Sequence, residues 1–254
     1  MKQNSIMTAD QLWQAIRTEA EAAFARDPVF GARLAQTILD HADLGSAVAH
    51  QVGERLGKSA EERAQFARLT CEAHRAAPDL VEAASRDLQA ALRDPAVASL
   101  LPPFLNYKGY IALQAWRVSN WLWRQDRTDL ALLMQSLSSD SLQVSIHPSA
   151  SLGTSILFDH ATGIIIGAHV SIGDGATIMQ NVTVGRKQAM PGRAPRIGRG
   201  VLLTSGASIL GDITIGDFAK VGAGSVVDSD VPAGCTAIGV PARLTNCPEP
   251  AVLP

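Results

Sequence analysis

The chain has 254 residues, 46% hydrophobic and 18% charged, with a formal net charge of −2. That composition belongs to an ordinary soluble globular protein, not a disordered or fibrous one, and the small net charge argues against nucleic acid or an anionic membrane as partner. No apolar run approaches the roughly eighteen residues of a membrane span, and Met1 to Asp10 lacks the apolar core of a signal peptide, so the expected compartment is the cytoplasm.

Residues 8 to about 140 read as helices. Gln11 to Ala25 places Leu12, Ile16 and Ala20 on one face, with Thr8 and Asp10 as cap candidates and Asp27-Pro28 as the stop. Gly31 to Asp40 and Leu44 to Leu56 follow, with Gly57 at the expected C-terminal position of the second. Ser59 and Glu62 form a capping box for a helix running to Ala77, and Pro78 to Leu92 is the next. A loop carrying Pro102-Pro103 leads to Tyr107 through Trp123, whose Tyr and Trp side chains mark a buried or interface helix, and Leu130 to Leu137 ends the run. Cys71, Cys235 and Cys247 are odd in number and unrelated in spacing; they read as reduced structural thiols, with neither a disulfide framework nor zinc-ligand spacing.

Past residue 140 the pattern changes. Aliphatic residues recur every sixth position at Ile146, Leu152 and Phe158, again from Ile166 to Val184, and again from Ile197 to Val227. Gly often follows the aliphatic, and a small residue often stands four positions after it. A period of six fits neither a helix nor a half-buried strand. It fits a parallel β-helix in which three hexads make one triangular coil and the periodic aliphatic fills the lumen. The expected fold is therefore α+β, with a helical domain over 1–140, a β-helix over 141–245 and a short tail over 246–254.

A prism of this kind has no cleft, so chemistry needs a groove between neighbouring prisms or a loop thrown from a corner. The repeat gains two residues between Phe158 and Ile166, pushing out Asp159-His160-Ala161-Thr162-Gly163, and breaks again between Val184 and Ile197, leaving a loop from Gly185 to Arg196. Long loops on a rigid repeat are usually functional, the alternative being a disordered surface segment. Imidazole suits removal of a hydroxyl proton near neutral pH, which makes His160, beside Asp159, the leading candidate for a base.

Four runs carry a family resemblance: Arg93-Asp94-Pro95-Ala96-Val97; Lys108 to Arg117 with Trp121-Leu122-Trp123; Asp159 to Gly163; and Gly239-Val240-Pro241-Ala242-Arg243. Together they resemble serine acetyltransferase over roughly residues 10 to 245. The resemblance implies a left-handed coil, an exception to the usual crossover rule, and acetyl-CoA as donor. It implies His160 as the base, and Asp94 and Asp159 as holders of the acceptor's ammonium and hydroxyl. Arg193 would bind the carboxylate. Gly185, Gly206-Ala207 and Gly222-Ala223-Gly224 would give backbone access along the CoA arm, and Lys220 and Arg243 would meet its phosphates. Asp94 also reads as a helix terminator before Pro95, and Lys220 and Arg243 also read as solvated charges.

Three positions depart from the family. Ser145 stands where an aspartate would orient and polarise the catalytic histidine. Ala194 replaces a histidine that grips the carboxylate. Arg186 replaces the second glycine of a pair early in the loop. These changes leave two other readings beside serine O-acetylation: an acyltransferase with a shifted acceptor, such as an amine or hydroxylamine-type nitrogen or a serine analogue altered near its carboxylate, and a non-catalytic paralogue. A metal site built from His147, His160 and His169 lacks the expected spacing, and no metal is expected. The resemblance further implies a homotrimer or a dimer of trimers; members of the family often dock a tail ending in isoleucine into cysteine synthase, whereas here the tail ends in Pro254, which puts that complex in doubt.

Overall fold

The computed structural model describes residues 6–187 and 193–248, and the chain divides into two compact units, Met1–Leu142 and Gln143–Pro254.

The first unit is helical: α1 (Ala9–Arg26), α2 (Gly31–Leu34), α3 (Leu44–Leu56), α4 (Ala60–Ala76), α5 (Asp79–Gln89), α6 (Leu101–Asn106), α7 (Lys108–Arg124) and α8 (Thr128–Leu142). Side-chain caps start the helices where the sequence offers them. Thr8 and Gln11 cap α1, Asp43 and Ser46 cap α3, and Ser59 and Glu62 cap α4, each satisfying otherwise orphaned backbone N–H groups. Leu12, Trp13 and Ile16 of α1 are buried, and Trp13 meets Phe104 edge-on at 5.9 Å between ring centroids. The indole N–H of Trp13 donates to the Ala42 carbonyl at 3.1 Å. Of the five aromatics from Tyr107 to Trp123, Tyr110 and Trp116 are buried in the core.

Two local expectations change. Pro102-Pro103 does not form a loop but occupies the first turn of α6, where the missing N–H costs nothing. Gly57 does end α3, but with extended backbone (φ −79°, ψ 130°) instead of the left-handed cap; a Cβ there would collide with the Arg63 backbone, so glycine serves the close approach of α4.

In the second unit the six-residue period becomes three parallel sheets. Val144–Ile146, Ile164–Ile166, Thr183–Gly185, Ser208–Leu210 and Val226–Val227 stack on one face. Ser151–Leu152, Ser171–Ile172, Arg196–Ile197 and Thr214–Ile215 make the second. Leu157–Phe158, Thr177–Ile178, Leu202–Leu203 and Lys220–Val221 make the third, which is completed by an antiparallel hairpin, Thr236–Gly239 with Ala242–Thr245. Every periodic aliphatic from Ile146 to Val227 lies in the lumen, with Leu152 at 9% the most exposed. The small residues of the repeat, including Ala176, Ala207 and Ser225, are fully buried where the chain turns a corner.

Cysteine pairing overturns the expectation of three reduced thiols. Cys235 and Cys247 form a disulfide across a separation of 12 residues, and Cys71 is the free thiol. Sequence spacing conceals the pairing because the hairpin reversal at Val240-Pro241 folds the two positions together. Among the described residues no helix is long and apolar enough to cross a membrane.

Candidate active site

The inserted segment after Phe158 is held in an uncommon conformation. His160 (φ 55°) and Ala161 (φ 61°) are successive non-glycine residues in the left-handed region. Such positions cost about 1–3 kcal/mol each and persist only where the surroundings impose them. Here the Ala161 N–H donates to the Asp159 carbonyl at 2.6 Å and the Thr162 N–H to the His160 carbonyl at 2.8 Å. Ala161 is buried as an anchor. Gly163 (φ 78°) closes the turn by donating to the Gln143 carbonyl, against the side chain of Asn181. The turn thus presents His160 outward with its side chain 70% exposed, while Asp159 is only 22% exposed. His160 Nε2 and Asp159 Oδ1 are 3.7 Å apart, close enough for charge stabilisation but beyond a hydrogen bond.

This turn heads a column. Backbone N–H groups of Asp159, Met179, Thr204 and Gly222 donate in turn to Ile178, Leu203, Val221 and Ala237 on the next coil, so successive corners stack. His160, Gln180, Ser205 and Ala223 each stand two residues after a lumen aliphatic, at equivalent places in this column. Gly206 (φ 73°) and Gly224 (φ 65°) follow on the lower corners. A Cβ on Gly206 would rest against the Gly224 backbone at 3.8 Å without a clash, and one on Gly224 would meet nothing within 4 Å, so no side chain covers either backbone and Gly224 faces open space. Below the His160 and Gln180 corners the column therefore ends in two uncovered glycine corners near the hairpin, whose N–H groups donate to the Gln180 and Ser205 carbonyls and whose main chain an extended ligand can approach closely.

The other expected cofactor positions separate into two groups. Gly185 is open, since a Cβ added there would meet no atom within 4 Å, whereas Gly222 is covered, its Cβ site 2.9 Å from Ile238 Cγ1. Ala207 points into the lumen, and its N–H and carbonyl are engaged with Thr204 and Thr183, so it shapes the corner without facing a ligand. Lys220 and Arg243 are exposed on the third sheet, Arg243 opposite Ile238 in the hairpin.

The altered positions sit around the first sheet. Ser145, between inward Val144 and Ile146, faces outward beside Ile165, which is 49% exposed. At the end of the same strand, His147 Nδ1 accepts from the Ser149 N–H at 3.1 Å and lies 2.8 Å from Ser149 Oγ. Burial pushes the His147 imidazole below its ordinary pKa, with His169 and Arg186 adding to the effect. Arg186 therefore brings positive charge to the start of the loop. Lys187 pairs with Asp228 at 3.0 Å and Arg196 with Asp212 at 2.9 Å, both on the surface. Arg193 is exposed while Ala194 is 4% exposed, facing inward with no polar group to offer. Residues 188–192 of the loop lie outside the described residues.

Asp94 belongs to the helical unit. Its Oδ1 accepts the Ala96 N–H at 2.9 Å and its carbonyl accepts the Val97 N–H at 3.0 Å, so it terminates the helical segment as the sequence allowed. That turn engages Oδ1, and a carboxylate has further acceptor capacity suited to an ammonium group.

Sequence reasoning missed Gln180 and Asn181. Gln180 Oε1 is buried without a hydrogen-bond partner among the described residues, and Asn181 (φ 59°) carries the left-handed turn of its coil. Their place in the hexad, equivalent to the His160 corner, was the available signal. No three His, Cys, Asp or Glu side chains among the described residues converge as a metal site.

Comparison with known proteins extends these observations. The family description "Serine acetyltransferase, N-terminal" matches residues 12–115. A serine acetyltransferase of Salmonella typhimurium is 41% identical over 93% of this chain and 88% of its own length. A solved serine acetyltransferase in complex with CoA has a TM-score of 0.90 at 39% identity, covering 94% of this chain and 100% of that one. Soybean serine acetyltransferase complexed with serine also gives 0.90, at 42% identity, covering 95% and 100%. Matches of this extent span both the helical unit and the solenoid, and the chain is a member of the serine acetyltransferase family.

Proposed function

We propose that the protein transfers the acetyl group of acetyl-CoA to the hydroxyl of L-serine. One observation carries the reading: a strained Asp159-His160 turn, with His160 facing outward, heads a column of corners whose lower members, Gly206 and Gly224, leave the backbone uncovered. The pantetheine arm of CoA fits along that column, since it can approach the main chain at Gly206 and Gly224 with no side chain between. Lys220 and Arg243 provide charge for phosphates beyond its far end. In the transfer, His160 takes the serine hydroxyl proton as the oxygen attacks the thioester carbonyl. The tetrahedral intermediate then expels CoA thiolate, which recovers the proton from the imidazolium. Asp94 and Asp159 hold the ammonium and orient the hydroxyl, and Arg193 holds the carboxylate. His160 and Asp159 are the catalytic pair; Gly185, Gly206 and Gly224 are the close-approach positions.

A prism corner is convex and covers one side of a ligand, so a neighbouring copy must supply the other wall. This favours a homotrimer, or a pair of trimers, working in the cytoplasm. Cysteine synthase is not proposed as a partner.

A second reading has its own support. Ser145 offers a hydroxyl but no carboxylate, Ala194 is inward and apolar, and Arg186 adds charge near the loop. Those features favour an acceptor altered near the carboxylate or needing less activation, such as an amine. Steady-state release of CoA thiol with L-serine and a panel of amines separates the two: serine turnover near the common enzyme range of about ten per second establishes serine as acceptor. Turnover confined to amines replaces it, and CoA binding without any transfer supports a non-catalytic paralogue.

A further inference from the structure

We propose that Cys235–Cys247 is a reversible thiol–disulfide clamp whose redox state sets the affinity for CoA through the terminal hairpin. The inference rests on the acetyl-CoA site proposed above, because the same hairpin borders that site. Gly239 N–H donates to Ser225 Oγ at 3.0 Å, and Ile238 lies over Gly222, so the first hairpin strand is fastened to the lowest corner of the His160 column. The second strand, Ala242–Thr245, carries Arg243 and among the described residues pairs on one side only. Three of its four residues are exposed. An exposed edge strand of this length has little packing to retain it. Among the described residues, beside the Thr236–Thr245 ladder pair, its ties at the open end are Thr245 Oγ1 to the Thr236 carbonyl, a long 3.4 Å, Pro248 lying over Gly234, and the disulfide. The disulfide is the covalent one.

The two sulfurs differ in access. Cys235 is 2% exposed, whereas Cys247 is exposed. A low-molecular-weight thiolate therefore attacks at Cys247, forming a mixed disulfide there and releasing the Cys235 thiolate, which takes up a proton. A second thiolate attacks the outer sulfur of the mixed disulfide, freeing Cys247 as a thiol and leaving the small-molecule disulfide. Two electrons pass to the protein. The reverse sequence, with a small-molecule disulfide as oxidant, closes the clamp. Cys71 belongs to the other unit and has no part in the exchange. In a reducing compartment a disulfide is usually of this transient, sensing kind. Opening it frees the end of the edge strand, and Arg243 loses its fixed place.

The full-length protein, purified without reductant, is compared with the same protein after dithiothreitol treatment and with Cys247→Ser. Thiol titration in denaturant is expected to find Cys71 alone before reduction and all three cysteines after it. Hydrogen exchange at 242–245 is expected to accelerate on reduction. The KM for acetyl-CoA and the calorimetric Kd for CoA should rise about five- to tenfold, with kcat within about twofold. Cys247→Ser should match the reduced protein and ignore dithiothreitol. Equal CoA affinity in the two redox states, or three free thiols before reduction, overturns the clamp. Exchange and CoA binding are read without turnover, so a redox-dependent CoA affinity in a protein that acetylates nothing retains the clamp while removing serine acetylation.

Discussion

Replacing Asp87 with alanine should cost the helical unit several kcal/mol. Asp87 Oδ2 accepts from Arg117 Nη2 and Nε, both at 2.7 Å, and from Gln114 Nε2 at 3.1 Å. The Asp87 side chain is 0% exposed and that of Arg117 is 7% exposed. Arginine does not give up its proton in proteins, so the variant retains a buried guanidinium without its carboxylate. Breaking one partner of such a pair costs about 3–5 kcal/mol, against about 0–1 for an exposed pair. The Lys58–Asp140 pair, 67% and 62% exposed, is therefore a suitable control. All four tryptophans, Trp13, Trp116, Trp121 and Trp123, lie in the helical unit, so their fluorescence follows that unit's urea unfolding. With a slope of about 2 kcal/mol per M, Asp87→Ala should lower the midpoint by about 1.5–2.5 M, while Lys58→Ala shifts it by less than about 0.5 M. Asp87→Leu combined with Arg117→Met should recover most of the loss. A shift below about 0.5 M for Asp87→Ala would refute the reasoning.

Glycines of the solenoid should separate by role. Gly216→Ala places a Cβ 2.8 Å from Ala233 Cα and should destabilise the solenoid by about 1–3 kcal/mol, read by circular dichroism of its unfolding. Gly185→Ala meets no atom within 4 Å, so its stability should hold while the KM for acetyl-CoA rises. Burial first, opposed by the Gly45 carbonyl and Asp43, holds the His74 imidazole below its ordinary 6.5. The unfolded chain then takes the proton first, so this contribution is present above about pH 6.5 and is lost as pH falls through 6.5 toward the folded value. His74→Gln should flatten part of that acid slope in a series of urea titrations; an unchanged slope would remove His74 as a contributor. Ser145→Asp should raise kcat for L-serine by about tenfold or more if the missing carboxylate limits the base.

The lumen and the extruded turn were legible in the sequence for different reasons. Ile146 through Val227 recur with a fixed period because each must fill the same slot of a triangular coil, and a period survives in one dimension. His160 was legible as an interruption of that period. Its left-handed backbone was not, since histidine adopts positive φ only as a minority conformation and Ala161 is not a residue type that favours it. Gln180 and Asn181 went unnoticed because they keep the hexad spacing, and only the stacking of corners brings them to the His160 column. Ala207 was expected to face CoA from the resemblance, whereas its repeat position, four after Leu203, is the buried corner position. Cys235 and Cys247 meet only through the hairpin, so their pairing depends on a reversal that their spacing does not encode.

His160 as the base of an acetyl transfer from CoA is the centre of the proposed chemistry. Its most direct test is thiol release from acetyl-CoA with saturating L-serine, measured for the natural chain and for His160→Ala alongside calorimetric CoA binding. Serine-dependent turnover should fall by about 10²–10⁴ in the variant, with CoA affinity unchanged. Turnover surviving in His160→Ala at the natural rate, or thiol release indifferent to serine, would contradict that role.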